Sequence, residues 1–211
     1  MKPSFVLLPL AAFCLALAPS ASAKPDPVRA GNAPVPAGAA EFVPAAGDDD
    51  SPAARGQKLF RARMERDAKA FPHDRMAAIE TLFADGVRGL KTPEGLAALN
   101  KLAVEHPKSN RAGCALQYLG QFARNDADRE RFLRRAISEH SDAVFGDGVQ
   151  VGAYARLHLA HLFLKTGRAA EARVLAAEIQ KNFPDAVDHR GRRLLNSKWF
   201  KHAAAGGPIE K

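Results

Sequence analysis

Cysteine is almost missing from this chain: two among 211 residues, Cys14 and Cys114. Cys14 falls in a leading segment expected to be removed, which leaves Cys114 without an intramolecular partner and excludes a disulfide-stapled domain. A small side chain on an apolar helix face is the favoured reading of Cys114, over a reactive or intermolecular thiol. With one tryptophan and two tyrosines, the aromatic content rests on twelve phenylalanines. The glycine-spaced aromatics of an RNA-recognition sheet are missing too. There is no glycine-rich phosphate loop, no Gly-x-Ser-x-Gly elbow, no Cys-x-x-Cys and no His-Glu-x-x-His, so the nucleotide, serine-hydrolase, dithiol and zinc-protease readings lack their chemistry. No catalytic residue, cofactor or metal is expected. His158 and His161 stand three apart on one helix and His189 follows Asp188, but a metal-dependent hydrolase would need a fuller ligand set. His161 is expected to line a groove, with His158 packed between helices. Gly146-Asp147-Gly148 reads as a turn, with Asp147 or Asp142 capping a helix end.

Long apolar runs are also scarce, and the one that exists is at the start. Lys2 precedes an apolar run from residue 5 to 18, followed by Ala21-Ser22-Ala23. This is the pattern of an export signal over 1–23, cleaved after Ala23. A lipoprotein reading through Cys14 is weaker because bulky Phe13 precedes it, and a retained anchor would be short for a full span. Residues 24–50 are rich in proline, alanine and glycine and cannot bury enough surface to offset their ordering entropy. They read as a tether. The net charge of +8 becomes +7 without Lys2. In an exported, periplasmic or secreted protein that excess points to anionic lipid, acidic cell-wall polymer or acidic protein rather than to nucleic acid.

What is abundant is helical punctuation. Residues 153–186 read as two antiparallel helices. The first is apolar around most of its circumference through Tyr154, Leu157, Leu159, Ala160, Leu162, Phe163 and Leu164, and it stops at Gly167. The second carries the stripe Ala172, Ala176, Ile179 and Phe183, and stops at Pro184. Upstream, Ser51-Pro52 opens a helix with the stripe Leu59, Phe60, Met64, Ala68 and Phe71, read as the second half of a pair lacking its first. A further helix runs over 74–87, and Thr92-Pro93, Ser109 and Asp126 start three more. The stops at Pro72, Pro107, Ser141 and Pro184 are spaced 35, 34 and 43 residues apart. The nine extra residues in the last interval coincide with 142–151, a glycine-containing insertion.

In these spacings, with Leu159, Ala160, Phe163, Gly167, Ala172 and Pro184 at large, small, aromatic, glycine, small and proline positions, the chain resembles the tetratricopeptide repeat family. The resemblance implies an all-α antiparallel helix-pair solenoid over 51–202. About three helix pairs would follow a leading helix, and a helix over 188–201 would cap the array before a frayed tail, 203–211. It departs from the family at Arg156 and Ala176. It also implies a concave face lined by the first helix of each pair. Carried over, the contact positions are Glu80 and Arg88, then Gln117, Gln121 and Arg124, then Tyr154, His161 and Lys165.

The function expected from this is a non-enzymatic protein-protein binding scaffold in the bacterial envelope, holding another envelope protein in the groove. The alternative is surface association, in which Arg190, Arg192, Arg193, Lys198 and Lys201 hold anionic lipid or cell-wall polymer beside Trp199. A homodimer through Leu59 and Phe60 is a further expectation.

Overall fold

The computed structural model describes residues 50–207, so the expected leader and tether, Cys14 and residues 208–211 lie outside the described residues. The described part is all-α: α1 Pro52–Ala70, α2 His73–Arg88, α3 Pro93–Glu105, α4 Asn110–Phe122, α5 Asp126–Glu139, α6 Val151–Lys165, α7 Ala169–Asn182 and α8 Lys198–Ala205. A single 3-10 turn, Leu194–Asn196, precedes α8. No described helix is long and apolar enough to cross a membrane.

Local chemistry starts these helices. The hydroxyls of Ser51, Thr92 and Ser109 accept the backbone N–H groups of Ala54, Gly95 and Ala112, satisfying donors that a helix start leaves unpaired. For α5 the cap is Asn125, one residue before the expected Asp126. The end of α6 is closed at Gly167 (φ +77°), where the Arg168 N–H reaches back to the Phe163 carbonyl at 2.7 Å.

From α2 to α7 each helix packs chiefly on the next, and α2, α4, α6 and α8 also touch in series. Helix α6 sits at the centre: ten of its 15 residues are buried, as an apolar circumference with neighbours on several sides requires. Leu157 and Leu159 meet Leu116, Leu133 and Ile179 in one continuous core. The stripe of α7 is buried at Ala172, Ala176 and Ile179, as its spacing required.

Two segments depart from the sequence reading. The expected insertion 142–151 does form a loop up to residue 150, with Val151 opening α6, but it is a small hairpin that occurs twice. In the first copy Phe145 N–H donates to the Val149 carbonyl, Gly148 N–H to Phe145, and Val151 N–H to Ala143. In the second, Asp188, Gly191 and Leu194 make the same three bonds to Arg192, Asp188 and Ala186, each donor 43 residues further on. Each copy closes one antiparallel bridge, Val144 to Gln150 and Val187 to Arg193. Each also turns at a left-handed glycine, Gly148 (φ +89°) and Gly191 (φ +72°). The expected capping helix over 188–201 is therefore hairpin, turn and the short α8. Helix α8 runs on to Ala205 with Ala203 fully buried, so the tail is ordered further than expected.

Helix α1 is the second departure. Its buried side is Ala53, Gly56 and Asp67 rather than the Leu59 to Ala68 side. It lies across both hairpins: Arg63 and Arg66 hold Asp142 at 2.9 and 3.2 Å, and Arg55 reaches Asp185 at 3.2 Å. It therefore straps the hairpins instead of completing a helix pair. Of the two residues expected to meet a second copy, Phe60 packs internally near Gly146 and Arg111, and Leu59 stays 43% exposed.

Candidate binding cleft

The hairpins bring separate parts of the chain into one row of rings. Tyr118 on α4 meets Phe145 of the first hairpin edge-on at 5.1 Å, and Phe145 meets His189 of the second at 5.5 Å. His189 continues to Tyr154 on α6 at 4.9 Å, and Tyr154 to His158 at 4.8 Å. His158 then lies 5.6 Å from Trp199 of α8, which stacks on His161 at 4.3 Å. Edge-on and offset pairs of this kind add modestly to burial and hold ring orientation. The two hairpin tips are also joined directly: His189 Nδ1 lies 2.6 Å from Asp147 Oδ2. Neither Asp147 nor Asp142 caps a helix: the N-cap of α6 is Gln150, Asp147 Oδ1 accepts the Val149 N–H at 3.3 Å within the hairpin, and Asp142 is held by Arg63 and Arg66.

At the α8 end of the row is an open cleft of about 270 Å³, lined by Gly120, Gln121, Arg129, Leu133, His158, His161, Leu162, Lys165 and Trp199. Leu133 and Leu162 give it an apolar floor. Trp199 is 52% exposed at its rim, and His161 Nε2 sits 3.0 Å from the Trp199 carbonyl. Arg129 points its guanidinium at the end of α4, donating to the carbonyls of Ala123 at 3.1 Å and Gln121 at 3.4 Å. Lys165 pairs with Asp126 at 3.0 Å. Burial pushes the His158 imidazole down to about 4 and also lowers His161, so both rings are neutral at pH 7. The cleft thus offers an indole, two neutral imidazoles, a carboxamide and two cations that already have partners. That set suits non-covalent recognition of a partly apolar group.

The sequence-derived contact positions do not all gather here. Gln121, His161 and Lys165 line the cleft together. Gln117 is fully buried, so it is no accessible contact, and its amide nitrogen lies 3.5 Å from Gln121 Oε1. Tyr154 belongs to the ring row, where burial raises its hydroxyl above the ordinary range. Glu80 is taken by a two-pronged pair with Arg111, both bonds 2.8 Å, beneath which lies the Phe83 ring. Arg88 pairs with Asp85 at 2.9 Å, and Arg124 is exposed just beyond α4.

The basic patch is split as well. Arg190, Arg192 and Arg193 stand on the second hairpin, and only Lys198 and Lys201 are on α8. Arg192 is paired with Asp188 at 2.8 Å and Arg193 with Asp185 at 2.5 Å. Reading the sequence alone missed Arg129 and placed Trp199 at a different site. Among the described residues no three His, Cys, Asp or Glu side chains are placed to hold a metal ion. Comparison of the chain with known protein families, with curated proteins and with solved structures finds no match.

Proposed function

We propose that this chain is a non-enzymatic binding scaffold exported to the bacterial periplasm, its partner another envelope protein seated in the cleft beside Trp199. In this reading the series α2, α4, α6, α8 is the inner, concave face of an array like the tetratricopeptide repeats. The serial packing of successive helices is what such an array requires. One observation carries the proposal: Gln121, His161 and Lys165, chosen from two different helices, line the same cleft, with a half-exposed tryptophan at its rim. Tryptophan is among the side chains most enriched at binding hot spots.

Association with anionic lipid or cell-wall polymer has less support, because Arg192 and Arg193 are neutralised by carboxylates of their own hairpin. The test is affinity capture by the mature chain from its own envelope extract at low and high salt, repeated with Trp199→Ala and Gln121→Ala. One protein held at high salt by the wild type and lost by Trp199→Ala is the expected result. Equal retention by all three chains would remove the cleft as the site. Release of lipid or polymer as salt rises would shift the function to Arg190, Lys198 and Lys201.

A further inference from the structure

Three imidazoles meet where α8 docks: His158 and His161 from α6, and His202 from α8 itself. Trp199 lies between the first two, and the His161 and His202 ring centres are 6.0 Å apart. The Nε2 atoms of His158 and His202 are closed to solvent and have no hydrogen-bond partner. No described carboxylate accepts a hydrogen bond from any of the three. The charges around them are mostly positive. Helix α5 presents Arg129, and α6 presents Lys165 with its partner Asp126. Helix α8 carries Lys198 and Lys201. Helix α7 lays Arg173 over Gly206, where an added Cβ would strike the guanidinium. The second hairpin places His189, held by Asp147, beyond Tyr154. Helix α4 faces the cluster with the uncharged Gln121.

We propose that α8 is an acid-releasable flap: protonating His158 and His161 beneath it undocks α8 from α6 and withdraws Trp199 from the cleft. The consequence for partner binding rests on the function proposed above, whereas the release itself does not. Helix α8 has only eight residues, too few to persist without packing, so undocking also unwinds it. At neutral pH it is held by burial of Phe200 and Ala203 and by the Ser197 cap, none of which titrates, and by the contact of His161 Nε2 with the Trp199 carbonyl, which survives protonation and offsets part of the burial that lowers His161.

The sign follows from where the proton binds. A desolvated imidazole lowered from 6.5 to about 4, its Nε2 closed to solvent, refuses the proton that its hydrated, undocked form accepts. Docking is therefore undisturbed above the ordinary histidine range and weakens as pH falls through it, with no further loss below about 4. For His158 alone the bias reaches on the order of 100-fold across that window, and His161, also lowered, adds in the same direction.

The chain has one tryptophan, so its fluorescence reports on α8. Emission of the full chain is recorded from pH 8 to pH 4 beside far-ultraviolet helicity, for the wild type, His158→Phe and His158→Gln. Amide exchange of residues 198–205 against 151–165 gives a reading that needs no variant. The expected result is a Trp199 transition between about pH 6 and pH 4.5, with α6 still protected and helicity mostly kept. Both variants should move its midpoint down by about one pH unit or abolish it. An unchanged Trp199 signal down to pH 4 would overturn the proposal. So would loss of α6 protection together with α8, or variants that superimpose on the wild type. Acid release without any captured protein would sink the binding reading and leave the flap. A captured protein with an acid-insensitive Trp199 would do the reverse.

Discussion

The carboxylate of Asp67, 1% exposed, accepts the backbone N–H of Asn110 at 2.5 Å, tying α1 to the first residue of α4. Asn110 passes the connection on. Its side chain donates to the Val144 carbonyl and accepts the Val144 N–H, both at 2.8 Å, so α1, α4 and the first hairpin share one buried polar chain. Removing the middle of such a chain strands two buried backbone groups at once. Asn110→Ala is therefore expected to lose about 3 kcal/mol, and Asp67→Ala about 1–3 kcal/mol. Urea denaturation of the two variants checks the order. Asp67→Ala costing more than Asn110→Ala would show that the hairpin is held by something else.

Close approach fixes the strap in a second place. A Cβ built on Gly56 would stand 2.4 Å from the Gly148 carbonyl oxygen, backbone against backbone, with no flexible side chain to give way. Gly56→Ala should favour the α1 helix intrinsically by roughly 1 kcal/mol yet destabilise the protein by about 1–3 kcal/mol. A rise in stability would mean that α1 does not lie on the hairpin at this distance.

Helix starts were legible because a cap needs only its own hydroxyl and an amide three residues on, as at Ser51, Thr92 and Ser109. Asn125 was missed for Asp126 because both are able caps and sequence does not say which is half outside the helix. Helix α6 was legible because a helix apolar around most of its circumference needs neighbours on several sides, and the α7 stripe because burial repeats at helical spacing. The second hairpin was misread for the same reason: Leu194, Leu195, Trp199 and Phe200 among arginines and lysines imitate one amphipathic helix. Its true signal was repetition, Asp142-Ala143-Val144 returning as Asp185-Ala186-Val187 and Gly148 as Gly191. The contact of Trp199 with His161 depends on that hairpin reversing the chain, and no local spacing encodes it. In α1 the apolar stripe implied a covered face, whereas the buried side is chosen by Gly56 and Asp67 meeting the hairpin and α4.

Cys114 offers a test that ignores the cleft. Its thiol is fully buried, 3.6 Å from the Val144 carbonyl oxygen, and burial pushes it up to about 12. Since the thiolate is the nucleophile, native Cys114 should be nearly inert to a maleimide or disulfide reagent at pH 8. In a Cys14→Ser chain, labelling is expected to be slower than in urea by a factor on the order of 1,000 or more. Rapid stoichiometric labelling of the folded chain would place Cys114 at an accessible face and loosen the assigned contact between α4 and the first hairpin.

Acid sensitivity should also have a component far from α8. His140, 6% exposed at the end of α5, is lowered mainly by burial, with Glu139 and Asp142 pulling partly the other way. The unfolded chain takes up the proton in the ordinary histidine range and the folded chain resists it, so stability present above that range is lost as pH falls through it. The arginine-paired carboxylates Glu130, Glu171 and Asp185 are lowered too. Their contribution is lost only as pH falls below the usual carboxylate range, which leaves the interval from pH 7 to pH 5 to the histidines. His140→Gln should therefore flatten the decline in urea-denaturation stability across that interval while leaving the Trp199 transition in place. If the decline is as steep in the variant as in the wild type, His140 is not buried neutral, and its close approach to Gly113, where an added Cβ would lie 2.7 Å from the His140 Cβ, is wrong.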